Sequence, residues 1–391
     1  MNDFVFQNTT KIYFGRNQLQ HLGSEIRQFG SRVLLAYGGG SIKKTGLYDK
    51  VMEELKKASM TVFELSGIEP NPHHTTVNRG AKICKREKVD VVLAVGGGST
   101  IDCAKAVAAT VFSRSGDCWD LVTGKEAVTN ALPVMTVLTI AATGSEMDSG
   151  GVISNVDTQE KLGLVHPLLQ PRVSFLDPTN TFTVSAYQTA CGSVDIMAHV
   201  FDTVYFAKDE RMDMLYRMMD ELLKTVVKYG PAAISKPDDY EARANLMWAA
   251  SWALNGFLYG GVAQAPSCHM IEHELSAVYN ITHGHGLAIV IPRWLEYILN
   301  PETAPQIKRL GVNVLSVDDS LSDMDGAKEA TRKLSEFFFK TLGLKSRLSD
   351  LGIDDSKIAV MARKACGPDG VMTGFVDLKP DDVEKILRMC L

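Results

Sequence analysis

Five of the nine histidines fall between residues 199 and 285, and Asp195 precedes the first of them by four residues. Residues i and i+4 of a helix share a face with Cβ atoms about 5–6 Å apart, so Asp195 and His199 can reach one ion together. A second pair at this spacing, His269 and His273, follows, and then Thr282-His283-Gly-His285-Gly. Set among otherwise apolar helices, such a cluster is costly to bury unless something satisfies it. Three imidazoles and one carboxylate suit a divalent transition ion such as Fe(II) or Zn(II), not calcium. The 269–273 spacing superficially matches H-E-x-x-H, but residue 270 is Met and the glutamate comes at 272. A metalloprotease would lack its general base.

A different chemistry is indicated nearer the N-terminus. The apolar run 91–95 leads directly into Gly96-Gly-Gly-Ser-Thr100, and an amphipathic stretch follows from 101 to 112. Strand, glycine turn and helix start in this order let backbone N–H groups approach a phosphate, with the helix dipole adding attraction. The turn is neither G-x-G-x-x-G nor a Walker loop. A second glycine turn, Tyr37-Gly-Gly-Gly-Ser-Ile-Lys-Lys44, closes an earlier strand-like run. Dinucleotide folds commonly place a carboxylate near this level to hold the ribose hydroxyls. Here the turn offers Ser41, Lys43 and Lys44 instead, an arrangement that accepts a 2′-phosphate and favours NADP(H) over NAD(H). Glu69-Pro-Asn71-Pro72 makes a rigid loop after another strand end, with Asn71 able to donate and accept.

These groups need two kinds of scaffold. Residues 32–37, 60–65 and 89–95 read as strands, and 47–58 and 78–88 as helices. Crossovers of this length imply parallel strands, hence a doubly wound α/β sheet for residues 1–184. From residue 185 to 391 β-branched runs nearly vanish, and helices are expected at 186–207, 209–228, 240–258, 268–278, 285–298, 328–342 and 380–390. Ser185 and Ser267 are candidate N-caps, and Pro301, Pro305 and Gly343 read as punctuation. The acidic stretch 316–325 is expected to be solvated surface. Cofactor motifs in one half and ligands in the other make the cleft between them the expected reaction site.

The 391 residues carry 41 basic and 46 acidic side chains, a net charge of -5, and 45% hydrophobic residues. That composition fits a globular chain, and no basic concentration suggests nucleic acid or a membrane surface. No apolar run approaches the ~20 residues that span a bilayer, and no secretory signal is visible at the start. Seven scattered cysteines without a C-x-x-C pair point to reduced thiols and a cytoplasmic location.

Taken in order, the motifs resemble the iron-containing (group III) alcohol dehydrogenase family, in its butanol dehydrogenase and NADPH-dependent aldehyde reductase branch. The resemblance runs from Thr10-Lys-Ile-Tyr-Phe-Gly15 through Gly67-Ile-Glu-Pro-Asn-Pro72, Ala94 to Asp102, Ala142-Thr-Gly-Ser-Glu146 and Leu176-Asp-Pro178. It ends on Asp195-x-x-x-His199 and the stretch from His269 to Gly284. The resemblance implies a Rossmann-like dinucleotide-binding domain followed by an all-α metal-binding domain, an arrangement shared with dehydroquinate synthase. It further implies metal ligation by Asp195, His199, His269 and His283, with His273 near the substrate and nicotinamide. Gly97, Gly98 and Ser99 would contact the pyrophosphate, with Asp102 just inside the helix. Gly38, Gly39, Ser41 and Asn71 would lie by the adenosine portion, Thr139, Thr143 and Ser145 would line the cofactor, and Lys161 would meet a ribose. Relatives restricted to NAD tend to carry aspartate in place of Gly39, and a homodimer is expected. Two departures stand out: Asp202 where the family usually has glutamate, and Thr183-Val-Ser-Ala in place of a proline-bearing stretch.

The expected reaction is hydride transfer between NADP(H) and a short-to-medium-chain aldehyde or primary alcohol, the metal polarising the substrate oxygen and His273 relaying the alcohol proton. A dehydroquinate-synthase-like lyase would need several basic residues for a phosphorylated substrate, whereas the metal region is flanked by Cys268, Met270, Ile271 and Ala277. A non-catalytic metal- or nucleotide-binding protein is the third reading, separable from the first by turnover.

Overall fold

The computed structural model describes residues 2–208, 212–264 and 266–391. Six strands, β1 (Lys11–Phe14), β2 (Arg32–Tyr37), β3 (Thr61–Leu65), β4 (Val91–Gly96), β5 (Val134–Leu138) and β8 (Val173–Leu176), form a parallel sheet in the order β1-β8-β5-β4-β2-β3. β4 and β5 are buried along their whole length, which explains their largely apolar composition, interrupted in β5 by Thr136: both faces of an internal parallel strand are covered. One face of the sheet packs Val33, Leu35, Val91, Leu93, Val137 and Phe175 into a common core with Val51 and Leu55 of the helix Leu47–Lys57. Pairing registers Tyr37 with Val95 and Gly96 with Leu138, so the turns after β2, β4 and β5 emerge side by side at the carboxyl edge. That edge is where ligands bind open α/β sheets.

An antiparallel hairpin, β6 (Gly150–Asn155) and β7 (Glu160–Val165), was not legible beforehand. It lies against the helix Gly98–Thr110, where a Cβ on Gly151 would come within 3.1 Å of the Asp102 backbone.

The helical half forms a second compact unit of Ser185–Ala249 and Gly256–Leu391, joined by the segment up to Phe6, while residues 250–255 group with the sheet. The expected 186–207 helix is α-helical over Ala186–Val200 and then widens to a π turn, Phe201–Tyr205. The 209–228 expectation begins on residues 209–211, which lie outside the described residues; the helix observed is Asp213–Ser235. The 240–258 helix stops at Ala253, because Gly256 takes a φ of 90° before a short 3-10 turn. The 328–342 helix starts at Asp323 under a Ser322 cap and closes at Gly343, whose φ is 75°. Pro305 does not punctuate: it sits in the first turn of the helix Ala304–Leu315, where its missing N–H costs nothing. Among the described residues no helix is long and apolar enough to cross a membrane.

Candidate active site

The Ala186–Val200 helix starts on Ser185, whose Oγ accepts from the Gln188 N–H at 3.2 Å, so the missing proline is no obstacle. Asp195 and His199 lie one turn apart and buried, with His199 Nε2 3.8 Å from Asp195 Oδ1. His283 Nε2 is 3.5 Å from the same oxygen. The His199 and His269 rings stack at 4.9 Å, and His269 and His283 lie 5.4 Å apart. One carboxylate and three imidazoles from three helices, Ala186–Val200, Ser267–Tyr279 and His283–Ile298, therefore converge. His273, half-buried, stands 5.6 Å from His283 and 6.4 Å from His269.

Convergence requires the helices to touch backbone to backbone. At Gly284 a Cβ would fall 2.1 Å from the carbonyl oxygen of Cys191. At Gly286 it would fall 2.7 Å from Cγ of Glu272. The Gly-His-Gly stretch after His283 thus has two packing reasons. His285 itself turns away: its Nδ1 meets the Tyr187 hydroxyl at 3.1 Å and its Nε2 the Lys345 carbonyl at 2.9 Å.

Behind the imidazoles stand two buried carboxylates. Asp202 Oδ2 lies 2.9 Å from His269 Nδ1 and also accepts the His269 N–H at 2.7 Å, while Oδ1 accepts the Cys268 N–H at 2.8 Å. Glu272, fully buried, bonds His283 Nδ1 and accepts from Ser276 Oγ at 2.5 Å. Burial, with the neighbouring His269, pushes the His199 imidazole well below its usual value. Burial alone would do the same to His269, but hydrogen bonding to Asp202 and nearby carboxylate charge leave it raised.

The donor set fits a cation. His199 Nδ1 and His269 Nε2 are buried without a hydrogen-bond partner among the described residues. An orphaned buried polar nitrogen costs about 1–3 kcal/mol unless its lone pair is used. Asp195, His199 and His269 offer ligand atoms all within 4.8 Å of one another. Glu272, His273 and His283 form a second such group, but His283 Nδ1 is already bonded to Glu272 and its Nε2 faces Asp195.

In the sheet unit the helix Gly98–Thr110 begins on the glycine turn itself, three residues earlier than expected. Its first turn carries no acidic residue and Gly97 provides no side-chain cap, which leaves the N-terminal N–H groups suited to an anion. A Cβ on Gly97 would meet Ile140 at 2.3 Å and one on Gly98 would meet Thr143 at 2.4 Å, so Thr143 lies on the turn. Ser99 sits in the same first turn, and Thr139 N–H bonds the Gly96 carbonyl at 3.0 Å. Gly38 accepts from the Gly67 N–H at 3.2 Å, bringing the loop that holds Asn71 beside the first turn. Asn71 has a φ of 54°, a left-handed conformation its side chain tolerates. Gly39 has nothing within 4 Å of a Cβ position, and Ser41 opens the following helical turn. Lys43 lies over the Tyr37 and Tyr48 rings and 4.0 Å from Glu64.

Three expected positions are arranged differently from the turn-lining group. Asp102 accepts from Ser145 Oγ at 2.6 Å and Val152 N–H at 2.9 Å, which uses both of its oxygens. The Ser145 hydroxyl, nearly fully buried, also receives Lys105 Nζ at 3.0 Å. These side chains tie the hairpin to the turn from beneath. Lys161 is buried on β7 opposite Ser154. Ser267 is not the N-cap of its helix: Pro266 occupies that position, and Asp202 takes the first N–H groups instead. Sequence reasoning singled out neither Asp202 nor Glu272 as functional. The glutamate three residues after His269 and the aspartate three after His199 were the available signals.

A parallel-sheet α/β unit with a glycine turn at a helix start, and a helical unit in which one carboxylate and three imidazoles converge, define a protein of the dehydroquinate synthase-like fold. Residues 9–178 match the model of the iron-containing alcohol dehydrogenases and residues 189–391 that of the family's C-terminal domain, and the chain belongs to this family. It is 48% identical over 389 residues to NADH-dependent butanol dehydrogenase B of Clostridium acetobutylicum, covering 100% of this chain and 99% of that one. It is 38% identical over 368 residues to the NADPH-dependent aldehyde reductase YqhD of Escherichia coli, covering 93% of each. The crystal structure of NADH-dependent butanol dehydrogenase A from Thermotoga maritima superimposes with a TM-score of 0.94 at 39% identity, covering 100% of this chain and 99% of that one. The chain is thus a nicotinamide-dependent alcohol dehydrogenase or aldehyde reductase.

Proposed function

We propose that the protein reduces short-to-medium-chain aldehydes such as butanal with NADPH, and oxidises the corresponding primary alcohols, at a cation held by Asp195, His199, His269 and His283. The reading is carried by those four side chains converging, with His269 Nε2 buried and without a hydrogen-bond partner among the described residues. A bound Fe(II) or Zn(II) supplies Lewis acidity toward the substrate oxygen, and the nicotinamide supplies the hydride. Asp195 contributes the one negative charge among the ligands, and the imidazoles bind as neutral donors, a state that burial enforces at His199. His273, half-buried beside His269 and His283, is placed to hand a proton to the forming alcohol and take it back from solvent. Gly97, Gly98 and Ser99 hold the pyrophosphate against the helix N-terminus, with Thr139 and Thr143 beside it. Asp102, Ser145 and Lys161 support the cofactor through the hairpin.

Preference for NADPH is supported by the open space at Gly39, a position that itself carries no carboxylate, and by Ser41, Lys43 and Lys44 in the same turn. The 48% identical relative is an NADH-dependent butanol dehydrogenase, which favours NADH as the second reading. Initial rates of NADPH and NADH loss with a C2–C6 aldehyde series on metal-loaded protein decide between them. A kcat/KM at least tenfold higher with NADPH supports the proposal, and the reverse order refutes it. A cytoplasmic homodimer completes the proposal, with sedimentation velocity as the check on its size; seven unpaired, buried cysteines support the reducing compartment.

A further inference from the structure

We infer that Asp202 is the positioning residue of the cation site, one carboxylate that at once caps the helix carrying His269 and fixes which nitrogen of that ring is left bare. The inference rests on the proposed metal ligation and adds to it a residue that touches neither cation nor substrate.

Three donors converge on this side chain. Oδ1 takes the Cys268 N–H, and Oδ2 takes both the His269 N–H and the ring Nδ1. A deprotonated carboxylate is acceptor-only, so the proton between Oδ2 and the neutral ring sits on Nδ1. Nε2 then carries the lone pair, and Nε2 is the buried atom without a partner. A carboxylate behind a ligand histidine sets ring orientation and raises ligand basicity.

Capping is the second half of the device. The helix Ser267–Tyr279 has no side-chain cap of its own: its N-cap is Pro266, and Ser267 Oγ has no partner among the described residues. Asp202 comes from the π turn that continues the Asp195–His199 helix. The wider turn packs its chain against the start of the next ligand helix, and Asp202 is only 2% exposed there. Two ligand-bearing helices are thereby joined through one side chain, with His269 at the joint. Cap and tautomer lock share one carboxylate, and this ties the bare nitrogen to the backbone that aims it.

The two roles come apart in Asp202→Asn. An asparagine oxygen in the Oδ1 place still accepts from the Cys268 N–H, so one of the two cap bonds survives, while the His269 N–H loses its acceptor. Its amide nitrogen, facing His269 Nδ1, can only donate, which drives the ring proton to Nε2 and blocks the lone pair. The experiment is Co(II) binding to chelator-stripped full-length protein, followed by d–d absorption against a competing chelator, alongside thermal melting of the same apo samples. A 10- to 100-fold weaker Co(II) affinity is expected, with the apo protein still folded and melting only a few degrees lower for the one lost cap bond. Wild-type affinity in Asp202→Asn overturns the tautomer role and leaves a cap alone. A wild type that takes up no cobalt overturns the metal reading itself and this inference with it, an outcome distinct from the first. Should the variant fail to fold, long-range proton–nitrogen spectra of ¹⁵N-histidine-labelled wild-type apoprotein at pH 9 remain: His269 protonated on Nδ1 supports the inference, and on Nε2 overturns it.

Discussion

Replacing Gly284 by alanine asks whether helix contact sets the cation site. A Cβ at 284 would lie 2.1 Å from the Cys191 oxygen, 2.7 Å from its carbonyl carbon and 3.0 Å from its Cα. Real Cβ contacts stay above 3.0 Å, so the two helices must part by at least 3.0 − 2.1 = 0.9 Å. The obstacle is backbone, which cannot swing aside as a side-chain tip can. Asp195 stands one turn beyond Cys191 on one helix, and His283 directly precedes Gly284 on the other, so the gap opens between two proposed ligands. Metal–ligand distances tolerate about 0.2 Å, several times less than the displacement. Overpacking of this kind costs about 1–3 kcal/mol, and a 1 Å misplacement at a reacting centre about 100-fold in rate. Gly284→Ala should therefore melt a few degrees lower, retain little metal after dialysis and lose about two orders of magnitude in kcat/KM for butanal. Gly163→Ala, on β7 with nothing within 4 Å, serves as the silent control. A Gly284→Ala protein with wild-type metal content, melting temperature and rate would refute the packing argument.

Other outcomes follow from the same geometry. Gly39→Asp, sterically free, should weaken NADPH far more than NADH as read from their KM values; equal effects would count against a 2′-phosphate at that turn. His269→Ala should lose bound metal and activity together, and a metal-loaded active variant would remove it from the ligand set. Burial pushes the Glu146 carboxyl up to about 7 from 4.5, with the Ser251 hydroxyl only partly offsetting it. Because the folded state holds that proton more tightly than the unfolded one, the stability is fully present below pH 4.5 and lost as the pH rises to 7. At 1.36 kcal/mol per pH unit the loss amounts to about 3 kcal/mol. Glu146→Gln, which still accepts from Ser251, should flatten this decline in urea unfolding at pH 5 and pH 8; an unchanged decline would place its cause elsewhere.

The parts of this molecule written locally were readable in its residues. β4 is a buried β-branched run followed by glycines, and the i, i+4 spacing of Asp195 and His199 survives folding as a shared helix face. What escaped depends on partners distant in sequence. Ser267 resembles a cap by type and position, but the Asp202 carboxylate, 66 residues before the Cys268 N–H that it accepts, already fills that place. Asp102 and Ser145 lie within motifs suited to cofactor contact, yet they bond each other across 43 residues of chain. The β6–β7 hairpin, rich in glycine and short of alternation, gives little pattern to read; what anchors it is the buried Lys105, bonded to the Gly150 carbonyl at 2.6 Å and to Asp148 Oδ1 at 2.6 Å. Pro305 misled because proline stops a helix from within but suits its first turn.

The most direct test of the central claim is anomalous diffraction at the metal absorption edge from crystals of active, metal-loaded protein. The account predicts one peak per chain, at about 2.0–2.2 Å from an oxygen of Asp195 and one nitrogen each of His199, His269 and His283. A peak seated instead among Glu272, His273 and His283, or full activity in crystals that show no peak at all, would contradict it.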